Sequence, residues 1–216
     1  MTHTLFETIQ RIVRAELGQL RTAELAVIQE QHPHASDSDQ DNYACTVQLR
    51  NSGIVLKHVP VATSRIGGVS IPAVGDLVLV QFIGGDVNAP VITGSLYDDE
   101  DRPPANMDGQ AILHLPLGAS DSDAVHIELT SGDSRSILLK LGTGISVEVK
   151  DDDPVVKLSV DGSKAKLQID RDGAVLVESQ GDIQVKGNAV SIEAQGELNL
   201  NGGTVNIKGQ PTVNIN

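Results

Sequence analysis

The sequence predicts a mainly β protein that opens with one helix and closes on a long run of very short strands. Three observations carry that reading. The 216 residues include 21 Gly, two Phe, two Tyr and no Trp, so turns are plentiful and a large aromatic core is not expected. Apolar residues at helical spacing occur at the N-terminus, and no helical period reappears after Ala111. From Gly173 onward, pairs of apolar residues recur behind a turn-forming residue every seven or eight positions.

The first element spans residues 1–21. Leu5, Ile9, Ile12, Val13, Leu17 and Leu20 form a helical stripe, and Thr4 with Glu7 is a capping-box candidate. One amphipathic helix without a partner helix must pack on the next domain or on another subunit.

Residues 22–104 read as a small barrel. "TAELAVIQEQ" and "YACTVQLR" alternate as strands, and "GIVLKHVPVATS" follows. Gly75-Asp76 turns into an apolar strand from Leu77 to Ile83, and Gly84-Gly85-Asp86 turns the chain into another from Pro90 to Leu96. Five or so short strands in this length suit a barrel of the oligonucleotide/oligosaccharide-binding (OB) type, which by itself names no ligand. Between the first two strands, "HPHASDSDQDN" is a polar loop. Its Asp37, Asp39 and Asp41 lack the Gly and distal Glu of a calcium loop. Its His32-Pro33-His34 reads as solvated loop rather than as metal ligands.

"YDDEDRPPANMDGQ" marks a boundary, because Pro103-Pro104 favours an extended crossing between domains. Residues 105–135 read as a linker or collar, and residues 136–216 as the repeat. Punctuation falls at Gly173, Gly181, Asn188, Gly196, Gly203 and Pro211, at spacings of 8, 7, 8, 7 and 8. Gly and Asn accept the backbone of a tight corner, and Pro tolerates one. Each corner precedes two apolar residues on one strand face: Val175 with Val177, Ile183 with Val185, Val190 with Ile192, Leu198 with Leu200, Val205 with Ile207, and Val213 with Ile215. Looser versions are Leu158 with Val160 and Leu167 with Ile169.

Strands this short expose their edges and bury little alone. Three copies wound about one axis pair each strand with the other chains. They also turn those twelve residues into a shared interior, where each buried side chain contributes roughly 1.5–3 kcal/mol. The expected C-terminal architecture is thus a triple-stranded intertwined β-helix in a homotrimer, a rod on the order of 50 Å long at one strand spacing per unit. The alternative is an ordinary sheet of alternating strands, against which the regular corners over six units count.

Charge narrows the partners. A formal net charge of −13 argues against nucleic acid and against anionic membranes. Cys45 is the only cysteine, so neither an intrachain disulfide nor a thiolate cluster is expected. No apolar run approaches a membrane span, and "MTHTLFETIQRIVRAEL" lacks a signal-peptide core. Assembly in a cytoplasm is therefore expected.

Gly75, Asp76, Gly85, Asp86, Pro90, Gly94, Leu96, Tyr97, Pro103 and Pro104 lie in "VGDLVLVQFIGGDVNAPVITGSLYDDEDRPP". That segment resembles the baseplate assembly protein V family of contractile-tailed phages, and it is similar to the barrel of the type VI secretion spike, the valine–glycine-repeat protein. "IVRAELGQLRT" also fits that family's N-terminal helix. The resemblance implies a homotrimeric central spike that caps the tube and punctures the target-cell envelope. Its implied partners are hub and baseplate proteins on the N-terminal side, with only transient contact to the envelope. Its implied location is the virion tail baseplate, or the particle of a phage-derived injection system, assembled in the bacterial cytoplasm. Two departures stand out. Pro104 to Ser136 is too short for the lysozyme domain that some members insert, and no His follows His126 to make the His-x-His metal site of self-sufficient tips. A separate tip protein of the proline–alanine–alanine–arginine repeat (PAAR) type is therefore expected on Thr212, Val213, Asn214, Ile215 and Asn216.

No catalytic, cofactor-binding or metal-binding residue is assigned, no cofactor is expected, and the chain is not expected to be an enzyme. The alternative is a trimeric glycan-degrading tail spike. Its chemistry needs two carboxylates about 5–9.5 Å apart beside a sugar cleft, and the repeat units offer no aromatic platform for a sugar. An OB barrel that binds oligonucleotides is weaker still, lacking basic and aromatic strand faces.

Overall fold

Alternating apolar residues after the helix build a five-stranded antiparallel sheet that closes on itself. The computed structural model describes residues 5–19, 21–142, 144–162 and 164–209. Its first element, α1, runs Leu5–Gln19. Leu5, Phe6, Ile9, Ile12 and Val13 are all exposed on it, so nothing among the described residues covers that part of the stripe. Thr4 and Leu20 lie outside the described residues.

The barrel strands are β1 (Ala23–His32), β2 (Ala44–Leu49), β3 (Val55–Pro60), β4 (Leu77–Phe82) and β5 (Pro90–Leu96), in the order β3-β2-β1-β4-β5. A parallel bridge between Val61 and Ile92 joins the two outer strands, and Ala62 N–H donates to the Ile92 carbonyl at 2.8 Å. Inward positions of successive strands make one core. Ile28, Cys45, Val47, Leu49, Val59, Val78, Val80 and Ile92 are each at most 1% exposed, with Phe82 beside them. Gly75 takes φ 100° at the turn into β4, and Asp76 fixes that turn by accepting from Ala73 N–H at 2.8 Å.

A second sheet begins at Gln110. Its strands are β6 (Gln110–Leu115), β7 (Val125–Thr130), β8 (Ser136–Leu141), β9 (Ile145–Lys150), β10 (Val156–Val160), β11 (Ala165–Ile169) and β12 (Val175–Ser179). They run as an antiparallel meander, each paired with its neighbour in sequence.

Two expectations are revised here. β6 and β7 fall inside 105–135, the stretch read as linker or collar. The strands from Ser136 to Ser179, Val175 and Val177 included, find partners within their own chain, whereas the repeat pattern led us to expect partners only from other chains. The reason is local. Strands of five or six residues joined by tight turns close as hairpins before any second chain is needed. Gly144 shows how tight these turns are. It takes φ 77°, and a Cβ there would sit 2.8 Å from Asp161 Cα, at the β10–β11 turn. From Gln180 to Lys208 the described chain forms no strand of its own.

Candidate functional site

Register places most of the apolar residues of the second sheet on one face, with Ile112, Leu138 and Leu176 on the other. One row crosses all seven strands as Leu113, Ile127, Leu139, Val147, Leu158, Leu167 and Val177. A second row runs Ala111, Leu129, Ile137, Val149, Val156, Ile169 and Val175. A third begins Leu115, Val125, Leu141 and Ile145. Side chains alternate across a strand, so this face follows directly from the spacing of two.

The opposite face is mostly polar and internally bonded. His114 Nδ1 and His126 Nδ1 are 3.2 Å apart, and His114 Nε2 donates to the Ala119 carbonyl at 3.0 Å. Glu128 accepts from Gln110 Nε2 at 2.9 Å and from Thr130 Oγ1 at 3.0 Å. Ser146 and Ser159 hydroxyls meet at 2.7 Å.

The apolar face is uncovered. Among the described residues, every buried hydrophobic side chain except Ala124 belongs to the barrel. Leu115, Ile137 and Val177 are more than half exposed. Single apolar side chains at a surface are ordinary, but a contiguous face of this kind marks an interaction surface. The sheet also ends in two open strand edges, β6 and β12, which are templates for further pairing.

Of the residues assigned from sequence to a trimer interior, two belong to this face. Val175 and Val177 stand on β12. Ile183, Val185, Val190, Ile192, Leu198, Leu200, Val205 and Ile207 lie in the strandless stretch, each 52–74% exposed. Val213 and Ile215 lie outside the described residues, as do Thr212, Asn214 and Asn216 of the expected tip contact. The β6–β9 rows were not assigned, although Leu113-x-Leu115, Val125-x-Ile127-x-Leu129 and Ile145-x-Val147-x-Val149 carry the same spacing of two. Their longer turns hid them from a search for a seven- to eight-residue period.

The polar loop is exposed along most of its length, and its backbone is pinned by one carboxylate. Asp39 organises it: its carboxylate accepts from Ala35 N–H at 2.6 Å, Ser36 N–H at 2.8 Å and Asp41 N–H at 3.1 Å, with His34 Nδ1 2.8 Å away. The Ser36 N–H, and then the His34 side chain, hold its pKa below the ordinary carboxylate value. His32 belongs to β1 rather than to the loop, and its side chain is only 12% exposed.

Comparison with known proteins fits the barrel. A family model described as the Type VI secretion system/phage-baseplate injector OB domain matches residues 28–97, which take in the second half of β1 and all of β2 to β5. A 40-residue segment is 55% identical to the Type VI secretion system spike protein VgrG5 of Pseudomonas aeruginosa (strain PAO1). That segment is 18% of this chain and 5% of the relative's length. The match over residues 28–97, about a third of the chain, agrees with the resemblance carried by the Gly75-to-Tyr97 signature: this segment is similar to the Type VI secretion system/phage-baseplate injector OB domain.

Proposed function

We propose that the chain is a structural component of a contractile-tail or injection-system baseplate, working as a homotrimeric central spike that caps the tube and punctures the target-cell envelope. The injector OB domain supports a baseplate or spike role. The observation that carries the finer reading is the uncovered apolar face of β6–β12, continued by exposed apolar pairs from Ile183 to Ile207. Three copies facing one axis cover that face and satisfy the strandless stretch by pairing between chains. The result is a narrow acidic rod suited to bearing compression.

In this reading the barrels sit under the hub, and the C-terminal end receives a separate PAAR-type tip protein on residues 212–216. Assembly takes place in the bacterial cytoplasm. The glycan-degrading alternative gains no support from the second sheet. The hollow lined by Lys140, Ser146 and Ser159 and the one lined by His114 and His126 share a single carboxylate, Asp121, where hydrolysis calls for two.

The test is mass in solution. Light scattering on the full chain is expected to return three times the 22.8 kDa of one chain, stable to mild detergent. A folded monomer at micromolar concentration overturns the spike reading.

A further inference from the structure

Three segments of the OB domain bring two imidazoles and a carboxylate together at the rim of the barrel: the last residue of β1, the loop before β2, and β3. The rings of His32 and His58 stack with centroids 4.1 Å apart and planes 28° from parallel. Asp41 Oδ1 lies 3.8 Å from His58 Nδ1. One nitrogen from each ring and one Asp41 oxygen all lie within 4.8 Å of one another.

The backbone is bent to achieve this. Pairing of β2 with β3 shifts register, so that Cys45 and Val47 oppose Val59 and Leu56, leaving one residue extra on β3. His58 occupies that bulge at φ 50°, a left-handed conformation that is uncommon for a residue other than glycine. Its side chain is 63% exposed, so core packing does not explain the conformation. Bulges re-aim side chains, and left-handed residues of this kind cluster at ligand sites. His32 is held from behind: Thr46 Oγ1 is 2.8 Å from its Nε2. A partner that orients a ligating imidazole is typical of metal sites. The surroundings also favour a cation, since Glu30 Oε2 stands 3.8 Å from the same nitrogen.

We propose that His32, Asp41 and His58 bind a divalent transition cation of the zinc class. Two imidazoles and one carboxylate suit borderline cations, whereas calcium and magnesium prefer oxygen alone. Three protein ligands leave a fourth position for water. Tetrahedral zinc needs its ligand atoms about 3.3 Å apart, so the solvent-accessible Asp41 side chain swings inward by roughly 1 Å and the exposed His58 ring turns out of its stack on His32, letting the two imidazole lone pairs converge. The bound cation clips the 33–43 loop and the bulged strand onto β1, which stiffens the rim of the barrel independently of any trimer.

The experiment is calorimetric titration of the full chain with zinc, paired with cobalt absorption as a report on coordination. One zinc per chain and the intense visible bands of four-coordinate cobalt are expected. His58→Gln and Asp41→Asn, at side chains outside the core, are each expected to weaken that zinc by 10-fold or more while leaving circular dichroism unchanged. His34→Gln, in the same loop but outside the cluster, should leave it unaltered. Absence of zinc binding tighter than about 0.1 mM overturns the proposal, as does zinc binding that His58→Gln and Asp41→Asn leave intact.

Discussion

Replacing Ile192 by Asp separates the proposed trimer from the lone chain, because the two states assign that side chain opposite environments. In one chain it is 69% exposed, so a charge there should change folding by no more than about 0.5 kcal/mol. On a threefold axis the exposed fraction is covered. Full burial of such a side chain is worth roughly 1.5–3 kcal/mol, so covering it contributes about 1–2 kcal/mol per chain and about 3–6 kcal/mol per trimer. Aspartate forfeits that gain and brings three carboxylates into a dry interior, which costs several kcal/mol more even after they protonate. At about 1.4 kcal/mol per tenfold, trimer dissociation should rise by at least two orders of magnitude. Sedimentation equilibrium over a dilution series reads this directly, and circular dichroism of the barrel should stay unchanged. Glu193→Lys is the control, since its side chain points to water and should be nearly neutral. If Ile192→Asp sediments like the parent chain, the axis is elsewhere. If both variants dissociate equally, the register is wrong.

Removing residues 210–216 is expected to leave the trimer intact and to abolish capture of a PAAR-type tip protein, and a truncated trimer that still captures it refutes the tip assignment. Cys45 is fully buried and burial pushes its thiol pKa up, so a thiol reagent at pH 8 should label it only after denaturation; rapid labelling of the native chain would contradict the closed barrel. Asp39 carries a pKa lowered by its loop contacts, so its contribution is present above the ordinary value near 3.9 and is lost as pH falls through the lower folded value. The amide signals of Ala35 and Ser36 should therefore hold through pH 5 and move only below about pH 4. Asp39→Asn should abolish that acid step, and a titration at or above the ordinary value would refute the loop assignment.

The barrel was legible because each of its strands announces itself locally. Leu77 to Phe82 has a Gly-Asp turn before it and a Gly-Gly-Asp turn after it, and Pro90 to Leu96 follows at once. What sequence spacing could not supply was the partner of each short strand. Val175-x-Val177 and Ile183-x-Val185 carry the same pattern, yet the first pair stands on a strand bonded to β11 and the second on none. The difference lies in the turns. Asp161-Gly162 and Asp172-Gly173 accept left-handed backbone, with φ of 69° at Gly162 and 90° at Gly173, and so fold each strand back upon its neighbour. The later corners recur without bringing the chain back on itself. A pairing rule that weighed corner chemistry as well as corner spacing would have separated the two regimes.

The cluster of His32, Asp41 and His58 escaped for a related reason. Sequence proximity pointed to His32-Pro33-His34, but a strand ends between those two imidazoles and sends them to different neighbours, Thr46 and Asp39. The residue that joins His32 is 26 positions away and reaches it only through one extra residue in β3. No period, cap or turn signal encodes that insertion, because a bulge exists only relative to the partner strand. The apolar face shows the reverse case. Its rows follow from alternation within each strand and from hairpins that keep neighbours in step, so the surface three chains would share is written strand by strand from Gln110 onward. The rim of the barrel depends on one misfit between strands, and the shaft on the lack of any.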